Sequence, residues 1–132
     1  MTLKKILFSG EVMPIKMLNI WRRWLPDALF VNLYGPTEVM GNCTYYIVDR
    51  EFDLTEKLPL GVPFPNVEVF YLNDRKEPIH EGEQGDIYVT GDSLAMGYYH
   101  NQEKTNEVFL QDFLGDGRMI YKTGDLAELR NG

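Results

Sequence analysis

Cysteine and histidine are scarce in this chain of 132 residues, with one Cys and two His. A single thiol, Cys43, excludes an internal disulfide and a cysteine-cluster zinc site. His80 and His100 lie far apart in polar, turn-like segments without metal-ligand spacing, so both read as surface residues. Basic charge is also short: 13 Lys and Arg stand against 20 Asp and Glu, a net charge of −7. That argues against a nucleic-acid binder, which needs a basic face, but leaves room for one nucleotide held through Mg²⁺ and backbone N–H groups. No apolar run approaches the roughly 20 residues that span a bilayer, and the N-terminus lacks the long apolar core and cleavage site of a signal peptide. The expected location is cytoplasmic. No Gly-rich loop ending in Lys-Ser or Lys-Thr is present, and Ser9 has no Gly-x-Ser-x-Gly context.

Apolar residues are plentiful, at 44%, with 13% aromatic, enough to build a core. Residues 3–8, LKKILF, read as a strand stopped at Ser9-Gly10. Ile15, Leu18, Trp21, Trp24 and Leu25 then recur at helical spacing, with Pro14 in the first turn and Pro26-Asp27 at the end. ALFVNL at 28–33 is a second strand, and strand–helix–strand predicts a parallel crossover pair. Beyond the loop at Tyr34–Glu38 the pattern turns β-rich. Strands are expected at 43–48, 67–72, 86–91, 119–122 and 126–129, with a turn at Asn73-Asp74 and a short helix over 102–108 capped by Asn101. The proline-rich stretch 58–66 resists any regular element. The expectation is therefore α/β plus β: residues 1–42 ending an α/β subdomain, and 43–132 a barrel-like β subdomain. Asn131-Gly132 after a strand signals a hairpin whose return strand is missing, so the chain reads as a slice of a longer protein.

Two segments offer chemistry. Asn32-Leu33-Tyr34-Gly35-Pro36-Thr37-Glu38 follows a strand end, where α/β proteins bind ligands. Asn32 can read a base edge, Tyr34 can stack on a purine, Gly35 lets the backbone turn close to a ligand, Thr37 can donate to phosphate and Glu38 can meet Mg²⁺. The same run also reads as a Gly-Pro turn with a helix cap. In Tyr121-Lys122-Thr123-Gly124-Asp125-Leu126, a buried Asp125 at a strand bend can accept from two ribose hydroxyls, or it is an ordinary Gly-Asp turn. Cys43, with no His beside it, reads as a buried structural thiol.

Taken together, Ser9-Gly10-Glu11, NLYGPTE, GDIYVTGDSLAMGYY and YKTGDL resemble, in order and spacing, the motifs of the adenylate-forming superfamily. Pro36 resembles the branch that activates amino acids, and LFSGEVMP resembles D-alanine–carrier-protein ligases. The resemblance implies an ATP- and Mg²⁺-dependent ligase that adenylates a carboxylic acid, an amino acid in this branch. The acyl group then passes to a carrier protein's phosphopantetheine or to CoA. It implies that Asn32 and Tyr34 contact adenine, that Gly35, Pro36 and Thr37 wrap the α-phosphate side, that Glu38 holds Mg²⁺ and that Asp125 binds the ribose. Thr37 and Glu38 take the catalytic roles, and Ser9, Gly10, Leu33 and Gly41 line the acid pocket. An acyl-CoA ligase and a non-catalytic module that keeps these motifs as turns are the alternatives. The family's phosphate loop and catalytic lysine are not in these 132 residues, so the isolated chain is expected to be inactive. A fragment-specific dimer is a further expectation, because cutting a crossover unit exposes a strand edge.

Overall fold

Residues 3–130 are described by the computed structural model. The hairpin expected at Asn131-Gly132 lies outside them. The crossover pattern forms as read: strand β1 (Lys5–Phe8), helix α1 (Ile15–Trp24) and strand β2 (Leu29–Tyr34), with β1 and β2 parallel and Phe8 opposite Asn32. Pro14 opens α1, its carbonyl accepting from the N–H groups of Met17 and Leu18. Ile15 and Leu18 pack with Phe30, Val48 and Phe52 into the core of this unit. Trp24, expected on the same stripe, is 76% exposed. Nine residues at about 100° each place it on the side of the helix away from Ile15.

The boundary expected between 42 and 43 falls elsewhere. The chain divides into two units, one comprising the chain up to Pro36 together with Asn42–Phe64, the other Thr37–Gly41 together with the chain from Pro65 on. The reason is pairing. β3 (Thr44–Ile47) runs antiparallel to β2, and β4 (Val62–Pro63) pairs with β3, giving the sheet order β1-β2-β3-β4. The β-rich sequence after 42 thus first completes the α/β sheet. β4 also corrects the expectation of no regular element across 58–66, though it is only two residues long and one of them is Pro63, as suits an edge position.

The second unit is a four-stranded antiparallel sheet in the order β5-β6-β8-β7. Its strands are β5 (Val67–Leu72), β6 (Gln84–Gly91), β7 (Phe109–Gln111) and β8 (Met119–Glu128). Leu72, Tyr88 and Ile120 are its buried centre. The turn after β5 is held by Asn73, whose Oδ1 accepts from the N–H groups of Arg75 and Glu77. Asn101 caps helix α2 (Gln102–Val108), its Oδ1 accepting from Lys104 N–H at 3.0 Å. The two strands expected at 119–122 and 126–129 are one bulged strand. Tyr88 of β6 faces Lys122 while Asp86 faces Leu126, so two steps on β6 oppose four on β8. The extra residues are accommodated at Gly124, with φ +83°, a backbone region that glycine enters at no steric cost.

Candidate functional site

The end of β2 carries the first group of candidate residues. Side chains on a strand alternate, so Asn32 and Tyr34 share one face and Leu33 takes the other. The Asn32 amide has a defined orientation. Its Nδ2 donates to the carbonyl of Pro59 at 2.9 Å, and a carbonyl can only accept, so the nitrogen must face Pro59 and Oδ1 is the atom left for a ligand. Gly35 and Pro36 follow at half-buried positions. Beside this strand end, the chain leaves β1 through Ser9 and Gly10, just after the last paired residues, Phe8 opposite Asn32. Gly10 adopts φ +91°. The Ser9 hydroxyl donates to Asn42 Oδ1 at 2.7 Å. Ser9, Gly10 and Leu33 are therefore gathered at the carboxyl ends of two parallel strands, and Asn42, which the sequence reading did not single out, joins them.

Cys43 closes this group from below. It is fully buried, its thiol lies 3.3 Å from the Tyr34 carbonyl, and burial pushes its pKa up to about 11. A protonated, inaccessible thiol is no nucleophile. The native protein is expected to resist iodoacetamide at pH 8 while the urea-unfolded chain is alkylated, as intact-mass measurement would show.

Thr37, Glu38 and Gly41 belong to the second unit. A single 3₁₀ turn spans Thr37–Val39, with Met40 N–H donating to the Thr37 carbonyl. The Thr37 side chain is exposed, and Val39 is buried at 1% and anchors the turn. Gly41 has φ +148° with open space where a Cβ would sit. Glu38 is half-buried and tied at both ends. Its carbonyl accepts from Ala95 N–H at 2.7 Å, and its Oε1 accepts a short hydrogen bond from the Tyr98 hydroxyl. Burial acts to raise the carboxyl pKa, but hydrogen bonds from Tyr98, its own backbone N–H and Tyr121 outweigh it, holding Glu38 below the usual carboxylate range. Tyr98 is raised in turn, chiefly by that bond, and Tyr121 by burial and then by Tyr98 and Glu38. Neither tyrosine was assigned a role from the sequence, although both stand inside the GYY and YKTGD runs.

Asp125 differs from expectation in one respect. It lies at the bulge of β8, where Thr123 Oγ1 donates to the Ile87 carbonyl and accepts from Asp125 N–H at 3.0 Å, but its side chain is exposed rather than buried. The bulge turns Asp125 out of the sheet plane's regular alternation, as bulges beside functional sites do.

The donor set bears on whether a metal fits. Among the described residues, no group of three or more His, Cys, Asp or Glu side chains surrounds a common point. That excludes a dedicated protein cage there. A single ionised carboxylate fits Mg²⁺, which usually keeps several waters and takes its other ligands from substrate phosphates.

Known proteins are similar to this chain over nearly all of its length. The family model described as AMP-binding enzyme matches residues 1–99. Tyrocidine synthase 3 of Brevibacillus parabrevis is 33% identical over 128 residues, covering 96% of this chain and 2% of that protein. The crystal structure of IdnL1 superposes with a TM-score of 0.88 at 30% identity, covering 97% of this chain and 27% of that one. Holo-PA1221, an NRPS protein containing adenylation and PCP domains bound to a vinylsulfonamide inhibitor, also reaches 0.88, at 27% identity, over 98% of this chain and 23% of its own. The chain therefore spans only a small part of each relative.

Proposed function

The chain belongs to the AMP-binding enzyme family, and on that premise we propose that it supplies adenosine- and metal-binding residues to an enzyme that activates a carboxylic acid with ATP. The observation that carries this reading is the run from Asn32 to Glu38. It leaves a parallel strand with one amide oxygen and one ring on the same face, and ends in a carboxylate that accepts from the Tyr98 hydroxyl.

Asn32 offers an acceptor, Oδ1, which suits the exocyclic amino group of adenine and opposes the carbonyl of guanine. Tyr34 supplies a stacking face. Gly35 and Pro36 bring backbone near the phosphates, and the exposed Thr37 hydroxyl donates to an α-phosphate oxygen. Asp125 accepts from the two ribose hydroxyls with its two oxygens. Glu38 holds Mg²⁺, which when bound neutralises phosphate charge and polarises the phosphoryl oxygens. The motif resemblance assigns Ser9, Gly10, Leu33 and Gly41 to the acid substrate. In the reaction, a substrate carboxylate oxygen bonds to the α-phosphorus as the α–β anhydride bond breaks, releasing pyrophosphate and leaving an acyl adenylate. A thiol then bonds to the acyl carbon as AMP departs with the electron pair of the C–O bond. The likeness to peptide synthases and to an adenylation–PCP protein supports an amino acid as the acid and a carrier phosphopantetheine as the thiol. The run Ser9-Gly10-Glu11-Val12-Met13-Pro14 favours D-alanine as that amino acid, which pyrophosphate exchange with single amino acids would separate from the rest.

In the longer protein that contains this segment, Asp125→Ala is expected to raise the KM for ATP about 10- to 100-fold, the worth of hydrogen bonds to a charged group. The KM for the acid should stay within about twofold. Unchanged ATP dependence would instead support a non-catalytic module that retains these motifs as turns.

A further inference from the structure

The segment from Asp92 to Tyr99 is where Glu38 is held. Ala95 fixes the Glu38 backbone and Tyr98 its carboxylate. Tyr98 is itself rigidly placed. Its N–H donates to Thr105 Oγ1 at 2.8 Å, Thr105 Oγ1 donates to the Asn101 carbonyl at 2.8 Å, and its ring meets Phe109 edge-on at 5.7 Å. Phe109 in turn packs 4.9 Å from the ring of Tyr121, which is 4% exposed. Gly97 permits this approach, since a Cβ there would come within 2.5 Å of Thr105 Cγ2. One hydroxyl, from the loop that leads into α2, thus reaches the Glu38 carboxylate, with the rings of Phe109 and Tyr121 packed behind it.

We infer that Tyr98, backed by the rings of Phe109 and Tyr121, is a positioning residue that fixes the Glu38 carboxylate for a nucleotide-borne divalent cation. The inference rests on the reading of Glu38 as the metal ligand. A carboxylate on an exposed turn otherwise rotates about its side-chain bonds, and stopping that rotation costs affinity when the ligand must do it. Here the fold does it in advance. The Tyr98 hydroxyl uses one of about four lone-pair sites on the carboxylate and leaves the others to the cation. This is the arrangement by which outer partners orient metal ligands generally.

The test uses the longer protein and Mn²⁺ as the probe, titrated by electron paramagnetic resonance in the presence of a non-hydrolysable ATP analogue. Tyr98→Phe keeps the ring on Phe109 and removes only the hydroxyl. It is expected to weaken Mn²⁺ binding about 10-fold. In pyrophosphate exchange, the Mg²⁺ concentration for half-saturation should rise by the same factor, the KM for the amino acid should hold, and excess Mg²⁺ should restore turnover. A purely structural role would lower the melting temperature and worsen every constant together, and that result would overturn the inference. Should Tyr98→Phe fail to fold, Thr105→Val, which removes the hydroxyl that holds the Tyr98 N–H, takes its place and is expected to weaken Mn²⁺ binding in the same direction. Glu38→Gln separates the two layers. If it weakens Mn²⁺ binding while the folded Tyr98→Phe or Thr105→Val protein does not, positioning is refuted and the ligand role stands. If it leaves Mn²⁺ binding unchanged, the ligand role fails and takes the inference with it.

Discussion

Gly61→Ala is expected to destabilise the first unit by more than about 4 kcal/mol, among the largest effects that a single methyl group produces. Gly61 sits at φ +80°, and a Cβ there would lie 1.9 Å from the Tyr45 carbonyl oxygen, 2.5 Å from its carbon and 2.8 Å from Tyr46 Cα. These are backbone atoms of β3, which is paired on one side with β2 and on the other with β4, so they have no room to yield. Moving residue 61 away instead breaks the Tyr45–Val62 pairing and shifts Pro59, whose carbonyl orients Asn32. Gly124→Ala is the control. Its φ is +83° but nothing lies within 4 Å of the added carbon, so it carries only the left-handed strain of about 1–2 kcal/mol. Urea unfolding of both variants tests the account, and equal losses would sink it.

Glu38→Gln is expected to reduce kcat/KM in pyrophosphate exchange about 10²- to 10³-fold in the longer protein, the usual cost of losing one preorganised electrostatic contact. The substitution conserves shape, and the amide oxygen can still accept from Tyr98. At a half-buried site the cost to folding should stay near about 1 kcal/mol, with the melting temperature within about 4 °C of the parent. What is lost is the negative charge that meets the cation. Exchange within about threefold of the parent would mean that the carboxylate serves the fold alone.

The local elements were readable because their causes are local. Helical spacing from Ile15 to Leu25, Pro14 at the start of α1 and the Asn101 cap each depend on residues within a few positions, and the structure has them all. The parallel pairing of β1 with β2 followed from the length of the crossover between them. Trp24 was misplaced because Ile15, Leu18, Trp21 and Trp24 recur at steps of three, each about 60° short of a full turn, so three such steps carry the stripe to the opposite side of the helix. Among the site residues, Asn32, Tyr34, Ser9, Gly10 and Leu33 could be placed because each stands at a strand end visible in the sequence.

The remainder depended on distant pairing. That residues 42–64 complete the first sheet, while Thr37–Gly41 go with the second unit, was decided by β2–β3 pairing and by the tie between Glu38 and Tyr98, 60 residues apart. The break expected at Gly124 became a bulge because β6 supplies one continuous partner on both sides of it. The exposure of Asp125, the orientation of the Asn32 amide and the hold of Tyr98 on the Glu38 carboxylate have the same origin. Composition and motif order determine which chemical groups this chain possesses. Only the folded chain determines which atom each group presents, because hydrogen bonding to remote backbone uses up one end of a side chain and leaves the other for a ligand.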